Sequence, residues 1–402
     1  MENSQKDINR PHTLKVLLIQ SFHNISGSIF RTPVLPLYAR SLGASMAQIG
    51  VMSMFSSLGF ALFEPTLGML SDKIERKKIV VVTLMIDTLV ILSYTFFPDI
   101  RWIYFVAFAH SACNAGFTAP TRALIADITP KEKRGKNYGA FLTLQALGRM
   151  PGPYIGGYLS YNYNYFLPFY VGATVNAVSS ILTLLYYPSR VGPKIDSVEL
   201  RKPNPRSILN TRIIVFVASR SLPMFFGFYG NILIIILKES SLFNATEEVL
   251  GLMATTISVV NMGTQYLAGL ILDKIGSAKL IIIGFALDGL AYFGYLIANN
   301  LAYMWLIRLL IASISPFYTV GMMVMMMELV SSENYGFAMG LYGLSEDIGG
   351  IVGSLVLGSM YDQNGFTICT YFMSFVCLVA VIMVWINTHN HKKENASVFK
   401  EQ

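Results

Sequence analysis

The chain has 402 residues; 53% are hydrophobic, only 13% are charged, and the formal net charge is +7. A soluble domain carries about a quarter charged residues, so the mean hydropathy of +0.52 excludes an ordinary soluble enzyme and points to a chain that crosses a bilayer repeatedly. The basic balance then follows from membrane topology, and nucleic acid is excluded as a partner.

A helix needs roughly 20 mostly apolar residues to cross the hydrocarbon, and such runs recur along the whole chain. The first thirteen residues are polar and lead into an expected span at 14–38 without a small-residue cleavage site, so no removable signal peptide is expected. This first span carries Gln20, Asn24, Ser28 and Arg31 at a spacing that keeps them on one helical face. The second, 47–70, carries Glu64, placed to pair with Arg122 at similar depth. It runs into the string Gly68-Met-Leu-Ser-Asp72-Lys73-Ile-Glu-Arg76-Lys77-Lys78. The third, 79–97, holds a single charge, Asp87. The fourth, 102–126, repeats the one-face pattern of the first with His110, Asn114, Thr118 and Thr121. Asp127 ends it.

The fifth span, 137–160, contains Gly139, Gly148, Gly152-Pro153 and Gly156-Gly157, with Arg149 among them. Small residues let a neighbouring helix backbone approach closely, and proline removes one helical hydrogen bond and permits a bend. The sixth, 165–187, is uncharged. Residues 188–209 are rich in proline and basic side chains and read as a linker.

In the second half, the span at 210–237 carries Arg220, Gly227 and Asn231 at i, i+7, i+11. The spans at 247–271 and 278–297 follow, the latter with Asp288. The span at 302–328 carries Arg308, Ser315 and Thr319 at the same i, i+7, i+11 spacing. Its methionine-rich end, Met322 to Met327, reads as adaptable packing rather than a metal path. The spans at 335–360 and 366–388 complete the set, with Glu346 and Asp347 adjacent at mid-depth, and 389–402 forms a tail. The three cysteines, Cys113, Cys369 and Cys377, fall inside spans with no disulfide or metal spacing. Lys and Arg crowd one set of loops, around 73–78, 131–136 and 190–212. The opposite set holds only Arg40, Arg101 and Lys238, which places both termini in the cytoplasm and the chain, multi-pass, in the cell membrane.

The halves repeat. At an offset of 201, Gly50 meets Gly251, Gly68 meets Gly269, Asp72-Lys73-Ile74 meets Asp273-Lys274-Ile275, Asp87 meets Asp288 and Asp127 meets Glu328. Beyond the next loop the strings Asn137-Tyr138-Gly139 and Asn334-Tyr335-Gly336 suggest an offset of 197, which sets Gly152 on Gly349 and Arg149 on Glu346. The expected fold is therefore an all-α membrane protein: twelve transmembrane helices in two repeated six-helix bundles, 1–187 and 210–388. Parallel repeats of this kind suit alternating access around a midplane site.

The 68–78 string resembles the loop 2–3 signature of the major facilitator superfamily, with Glu75 where a glycine is usual. The helix-5 pattern from Gly139 to Gly157 is similar to the motif of that family's drug:proton antiporter branch. The resemblance covers about residues 14–388. It implies a gate at Gly68, Asp72, Arg76, Asp127 and Asp273, and a helix-5 hinge at Gly148, Gly152, Pro153, Gly156 and Gly157. It also implies a cavity lined by helices 1, 4, 7 and 10, the helices that carry the polar stripes. The family often has an arginine early in helix 4; His110 is the nearest ionisable group here.

Ionisable groups inside spans are functional candidates, because burial costs several kcal/mol unless they are paired. Gln20, Asn24, Arg31, His110, Asn114, Arg149, Arg220, Asn231 and Arg308 are the candidate substrate contacts, against the alternative that such residues only bond helix to helix. Glu346, Asp347 and Glu64 are the candidate proton-coupling acids. Asp87 and Asp288 read as structural. The absence of a carboxylate from the first span argues against a cationic substrate. No phosphate-cradling motif, metal cluster or hydrolase motif is present. The expectation is a monomeric, cofactor-free secondary transporter of a small organic molecule, driven by protons in the direction of efflux. A symporter or facilitator for an anionic solute is the second reading, and a receptor or intramembrane enzyme the reading from another class.

Overall fold

The computed structural model describes residues 2–128, 143–188, 211–330 and 335–398. The described residues are helices and short connections, with no strand among them. In chain order these are α1 (Glu2–Arg31), α2 (Val34–Ser41), α3 (Met46–Lys73), α4 (Arg76–Ser93), α5 (Ile100–Ile128), α6 (143–149), α7 (Gly152–Asn162) and α8 (Leu167–Tyr186). The second half gives α9 (Thr211–Ser221), a 3₁₀ turn (Leu222–Met224), α10 (Phe225–Glu239), α11 (Glu247–Ile275), α12 (Ser277–Ile297), α13 (Leu301–Glu328) and α14 (Tyr335–Val398). Helical residues occupy each of the twelve expected ranges. Among the described residues, six helical segments are by themselves long and apolar enough to cross a membrane.

Local chemistry sets the boundaries. Ser45 and Gln48 form a reciprocal capping box at the start of α3. The Asn300 side chain accepts from the backbone of Tyr303 and caps α13. Gly276, at φ 82°, turns the chain between α11 and α12. Gly365, at φ 75°, breaks α14 between the two spans expected there, a left-handed conformation that only glycine adopts cheaply. Pro33 and Pro151 interrupt the first and fifth spans into α1–α2 and α6–α7.

The chain forms two compact units. The first is Met1–Asp196 with Ile234–Glu239 and Asn244–Thr255; the second is Ser197–Leu233 with Ser240–Phe243 and Thr256–Gln402. In the first unit α3 packs along α5, α4 on α5 and α8, and α1 on α7 and α8. Its aromatic core joins Phe30, Tyr94 and Phe169, with Tyr94 stacked on Phe169 at 5.0 Å. In the second unit α12 packs on α13 and α14, and Phe285 stacks on Tyr318 at 4.4 Å. The outward surface is apolar: Leu89, Phe105, Ile181, Leu185, Leu290, Ile297 and Phe375 are all exposed. An exterior of that kind suits hydrocarbon rather than water.

Packing corrects the repeat register in the second part of each half. A side-chain carbon on Gly148 would strike the Ser21 carbonyl, and one on Gly349 would strike the Ser221 carbonyl. The two glycines lie 201 residues apart and the two serines 200, so the offset stays near 201 and the shift to 197 does not hold. The matching Asn-Tyr-Gly strings set the sequence alignment, whereas the neighbouring helix backbone decides which glycine must stay bare. Gly350, not Glu346, therefore stands where Arg149 does.

Candidate transport site

Helix 5 is positioned by its glycines. Side-chain carbons on Gly148, Gly152 and Gly156 would meet Ser21, Ser28 and Ile29 of α1, so these two helices touch backbone to backbone. Gly157 turns the other way and faces the Glu247 carbonyl and Gly251 at the start of α11; Gly251 in turn faces Pro153. Around that contact, the Thr255 hydroxyl donates to the Met150 carbonyl (3.1 Å) and the Tyr165 hydroxyl to Glu247 (2.6 Å). Lys238 pairs with Glu247 (2.8 Å) and Arg40 with Glu239 (2.6 Å). Sequence reading missed this ionic cluster, because its members sit at helix ends scattered over two hundred residues and look like ordinary loop charges.

The close approach of helix 5 joins two of the expected contacts. Arg149 donates from Nε to the Asn24 Oδ1 (3.1 Å), and Asn24 donates from Nδ2 to the Gln20 carbonyl (2.7 Å). Gln20 is buried, and Arg31 is exposed at the end of α1. Asn114 accepts from the Thr118 hydroxyl (3.2 Å). His110 is buried and bonds Asp87 at 2.7 Å.

The second unit contains a cavity of about 300 Å³. Arg308, Ser315 and Thr319 of α13 line it, as the i, i+7, i+11 stripe implied, and Gly227 lines it from α10. Asn261 of α11 adds a polar corner, donating to the Ser315 Oγ at 2.8 Å and the Ala312 carbonyl at 3.3 Å. Tyr229, Tyr292, Tyr295, Tyr318 and Phe226 supply the aromatic walls. The site thus combines one guanidinium, amide and hydroxyl groups, and several ring faces. The tyrosines and Asn261 escaped the sequence reading; tyrosine at helical spacing is indistinguishable from core, and only the fold brings α10, α11, α12 and α13 around one space.

Arg220 and Asn231 are not among the residues lining that cavity. Arg220 is buried, lies 4.5 Å from the Tyr342 ring centre and sits 3.5 Å from Glu346, whose side chain is half exposed. The i, i+7, i+11 spacing put Arg220 on the face of Gly227, but the 3₁₀ turn at Leu222–Met224 intervenes and breaks the helical phase. Glu64 and Arg122 pair at 2.6 Å. Asp347 also has an interaction partner. Of the gate residues, Gly68 faces Ala119, Arg76 is buried at the start of α4 and Asp273 is exposed. The side chains of Asp72 and Asp127 lie outside the described residues, as do most of the 188–209 linker and the side chains of the 389–402 tail. The cysteines are free, and no described residues form a group able to hold a metal.

A helical bundle that presents apolar residues outward and a small polar and aromatic cavity within defines a multi-pass membrane transporter. The family model of the Major Facilitator Superfamily matches residues 16–237 and 215–401, and the chain belongs to that family. It is 24% identical over 394 residues to the multi-drug resistance efflux pump PmrA of Streptococcus pneumoniae, covering 94% of this chain and 97% of that one. It is 21% identical over 388 residues to the quinolone resistance protein NorA of Staphylococcus aureus, covering 92% and 94%. Among solved structures, the nucleoside transporter NupG superposes with a TM-score of 0.75 at 16% identity, over 94% of this chain and 98% of that one. A bacterial homolog to the human lysosomal transporter Spinster, in an inward-facing and unoccupied conformation, gives 0.74 at 16% identity, over 94% and 95%. At such identities the structural likeness establishes the fold and nothing finer.

Proposed function

We propose that this chain is a secondary active transporter that exports a small organic molecule across the cell membrane in exchange for protons, with both termini in the cytoplasm. The observation that carries the reading is the cavity in the second unit, where Arg308 and Asn261 stand among Tyr229, Tyr292, Tyr295 and Tyr318. Pockets that bind small molecules are mostly apolar and aromatic with a few convergent polar groups. The full-length similarity to PmrA and NorA, named as efflux and resistance proteins, supports the direction of transport. Glu346, Asp347 and Glu64 are the acids proposed to couple protons; Glu346 reaches Arg220, and Glu64 reaches Arg122. The gate and hinge roles of Asp72, Asp273, Gly152 and Pro153 are proposed with them.

The test is flux into proteoliposomes of a panel of anionic, neutral and cationic fluorescent compounds, with and without an imposed pH gradient. Gradient-driven accumulation supports the reading; flux that ignores the gradient removes proton coupling. A second reading, a symporter or facilitator for an anionic solute, is favoured by the guanidinium of Arg308 in the cavity and is selected if only anionic probes move and they move inward.

A further inference from the structure

The first unit buries a polar cluster that lies outside the cavity lining and the proposed coupling acids; of its members, only His110 stood among the candidate contacts. Asp87 of α4, His110 of α5, Asn176 of α8 and His23 of α1 are all 3% exposed or less. His110 Nδ1 lies 2.7 Å from the Asp87 Oδ1. Asn176 donates from Nδ2 to the Asp87 Oδ2 (3.2 Å), the Leu84 carbonyl (3.1 Å) and the Thr88 hydroxyl (3.2 Å). Those acceptors fix the amide, so its Oδ1 faces His23 Nδ1 at 2.9 Å. An amide oxygen can only accept, so His23 donates from Nδ1; a carboxylate can only accept, so His110 donates from Nδ1 as well. The His110 Nε2 is left buried with no hydrogen-bond partner in the structure.

The charge of the cluster then turns on a single proton. With both imidazoles neutral and Asp87 ionised, it carries one negative charge in a region closed off by Phe30, Phe117 and Phe169. An uncompensated buried charge is costly. Two things can remove it. One is a proton on His110 Nε2: an O–H bond of a hydronium ion breaks as the N–H bond forms, water is left behind, and the cluster becomes neutral. The other is the guanidinium of Arg31, at the end of α1 and next in the chain to Phe30, whose ring centre lies 5.2 Å from that of His110; Tyr94 and Asp87 both feel its charge. The remaining titratable or charged neighbours are Cys113 on α5, which feels Asp87, and Arg149 on α6, which feels His23. The second half keeps the carboxyl, as Asp288, fully buried. At the 201 offset it has Ile311 where His110 stands and Cys377 where Asn176 stands. The repeat architecture therefore does not require an imidazole at this place.

We propose that the Asp87–His110 pair is a proton-binding site, loaded at His110 Nε2, and that the proton and the positive charge of Arg31 alternate as its counter-charge. Movement of α1 that withdraws Arg31 draws a proton in, and its return expels one. This rests on the proton-coupled reading above and adds a coupling site in the first half to the acids proposed at 346–347.

The test is nitrogen NMR of histidine-labelled, full-length protein in detergent micelles, with each signal assigned by substitution. Two outcomes together are expected. His110 takes up a proton as the pH is lowered while the protein stays folded, and Arg31→Gln binds that proton more tightly than wild type, moving the transition to higher pH. A His110 signal that never titrates overturns the proposal, as does a titration that Arg31→Gln leaves in place. Asp87→Asn is the direct variant; if it does not fold, His110→Gln retains a donor toward Asp87 while removing the titrating nitrogen. In proteoliposomes carrying a fluorescent probe from the panel, His110→Gln is expected to lose pH-driven accumulation in larger proportion than exchange; equal losses count against a coupling role. Absence of pH-driven flux in the wild type would remove the proton-coupled reading of the whole transporter, whereas the NMR result decides the proton site itself.

Discussion

Arg308 and Arg220 look alike in sequence, each beginning an i, i+7, i+11 polar stripe, and the structure separates them. Arg308 lines the cavity of the second unit, and Arg220 lies against Tyr342 and Glu346. Their substitutions should separate too. A hydrogen bond to a charged group contributes about 1.5–3 kcal/mol, so Arg308→Gln is expected to weaken a carboxylate probe by roughly ten- to a hundredfold, with little change in melting temperature. A neutral aromatic probe should bind that variant nearly as before. Equal loss for both probes would show that Arg308 shapes the cavity and does not read charge. Arg220→Leu should do the reverse, lowering thermal stability while leaving probe selectivity intact. Glu346 is half exposed, so its ion pair contributes at most about 1 kcal/mol, and the stacking on Tyr342 adds roughly 0.5–2 kcal/mol. A changed order of probe affinities in Arg220→Leu, at unchanged stability, would return Arg220 to the substrate site.

At the scale of the elements, the glycines of helix 5 carry the argument. Gly156 has no room for a side chain, because a Cβ would overlap the Ile29 carbonyl. Overpacking of this kind costs about 1–3 kcal/mol. Gly156→Val is therefore expected to push α7 off α1, lower the melting temperature and slow turnover. Wild-type melting and turnover in Gly156→Val would mean that the two helices do not touch as described. Much of this level was readable in the chain. The small-residue spacing of helix 5 and the hydrophobic runs are local signals that backbone sterics and burial enforce directly, whereas the glycine breaks at Gly276 and Gly365 came only from the structure. The stripe on α13 was readable for the same reason, since its helical phase runs unbroken from Arg308 to Thr319. The stripe on helix 7 failed where the 3₁₀ turn around Pro223 interrupts that phase. Nothing local marks Asn261 or Tyr292 as cavity residues, or Arg40 and Glu239 as a pair 199 residues apart. Those assignments depend on which helices become neighbours, and that is set by the whole fold.

For the whole molecule, orientation decides what the site and the gate signatures mean. Loop Lys and Arg are retained on the cytoplasmic side. The segment at 190–212 carries Arg190, Lys194, Arg201, Lys202, Arg206 and Arg212, whereas the short loop around 240–246 carries no basic residue. The asymmetry predicts that 190–206 faces the cytoplasm, and that the ionic cluster of Arg40, Lys238, Glu239 and Glu247 faces outward. The native cysteines are buried or partly buried within spans, so a variant with Cys113, Cys369 and Cys377 changed to serine or alanine provides a background for single reporters. One reporter replaces Ser197, and the other replaces Ser241 in the loop that follows α10. In intact cells a membrane-impermeant maleimide should label the reporter at 241 and spare the one at 197. After permeabilisation both should react. Labelling at 197 from outside would invert the orientation. The helix-2 signature at 68–78 would then lie on the outer face, and the pH gradient assumed to drive export would act on the opposite side of every proposed proton site.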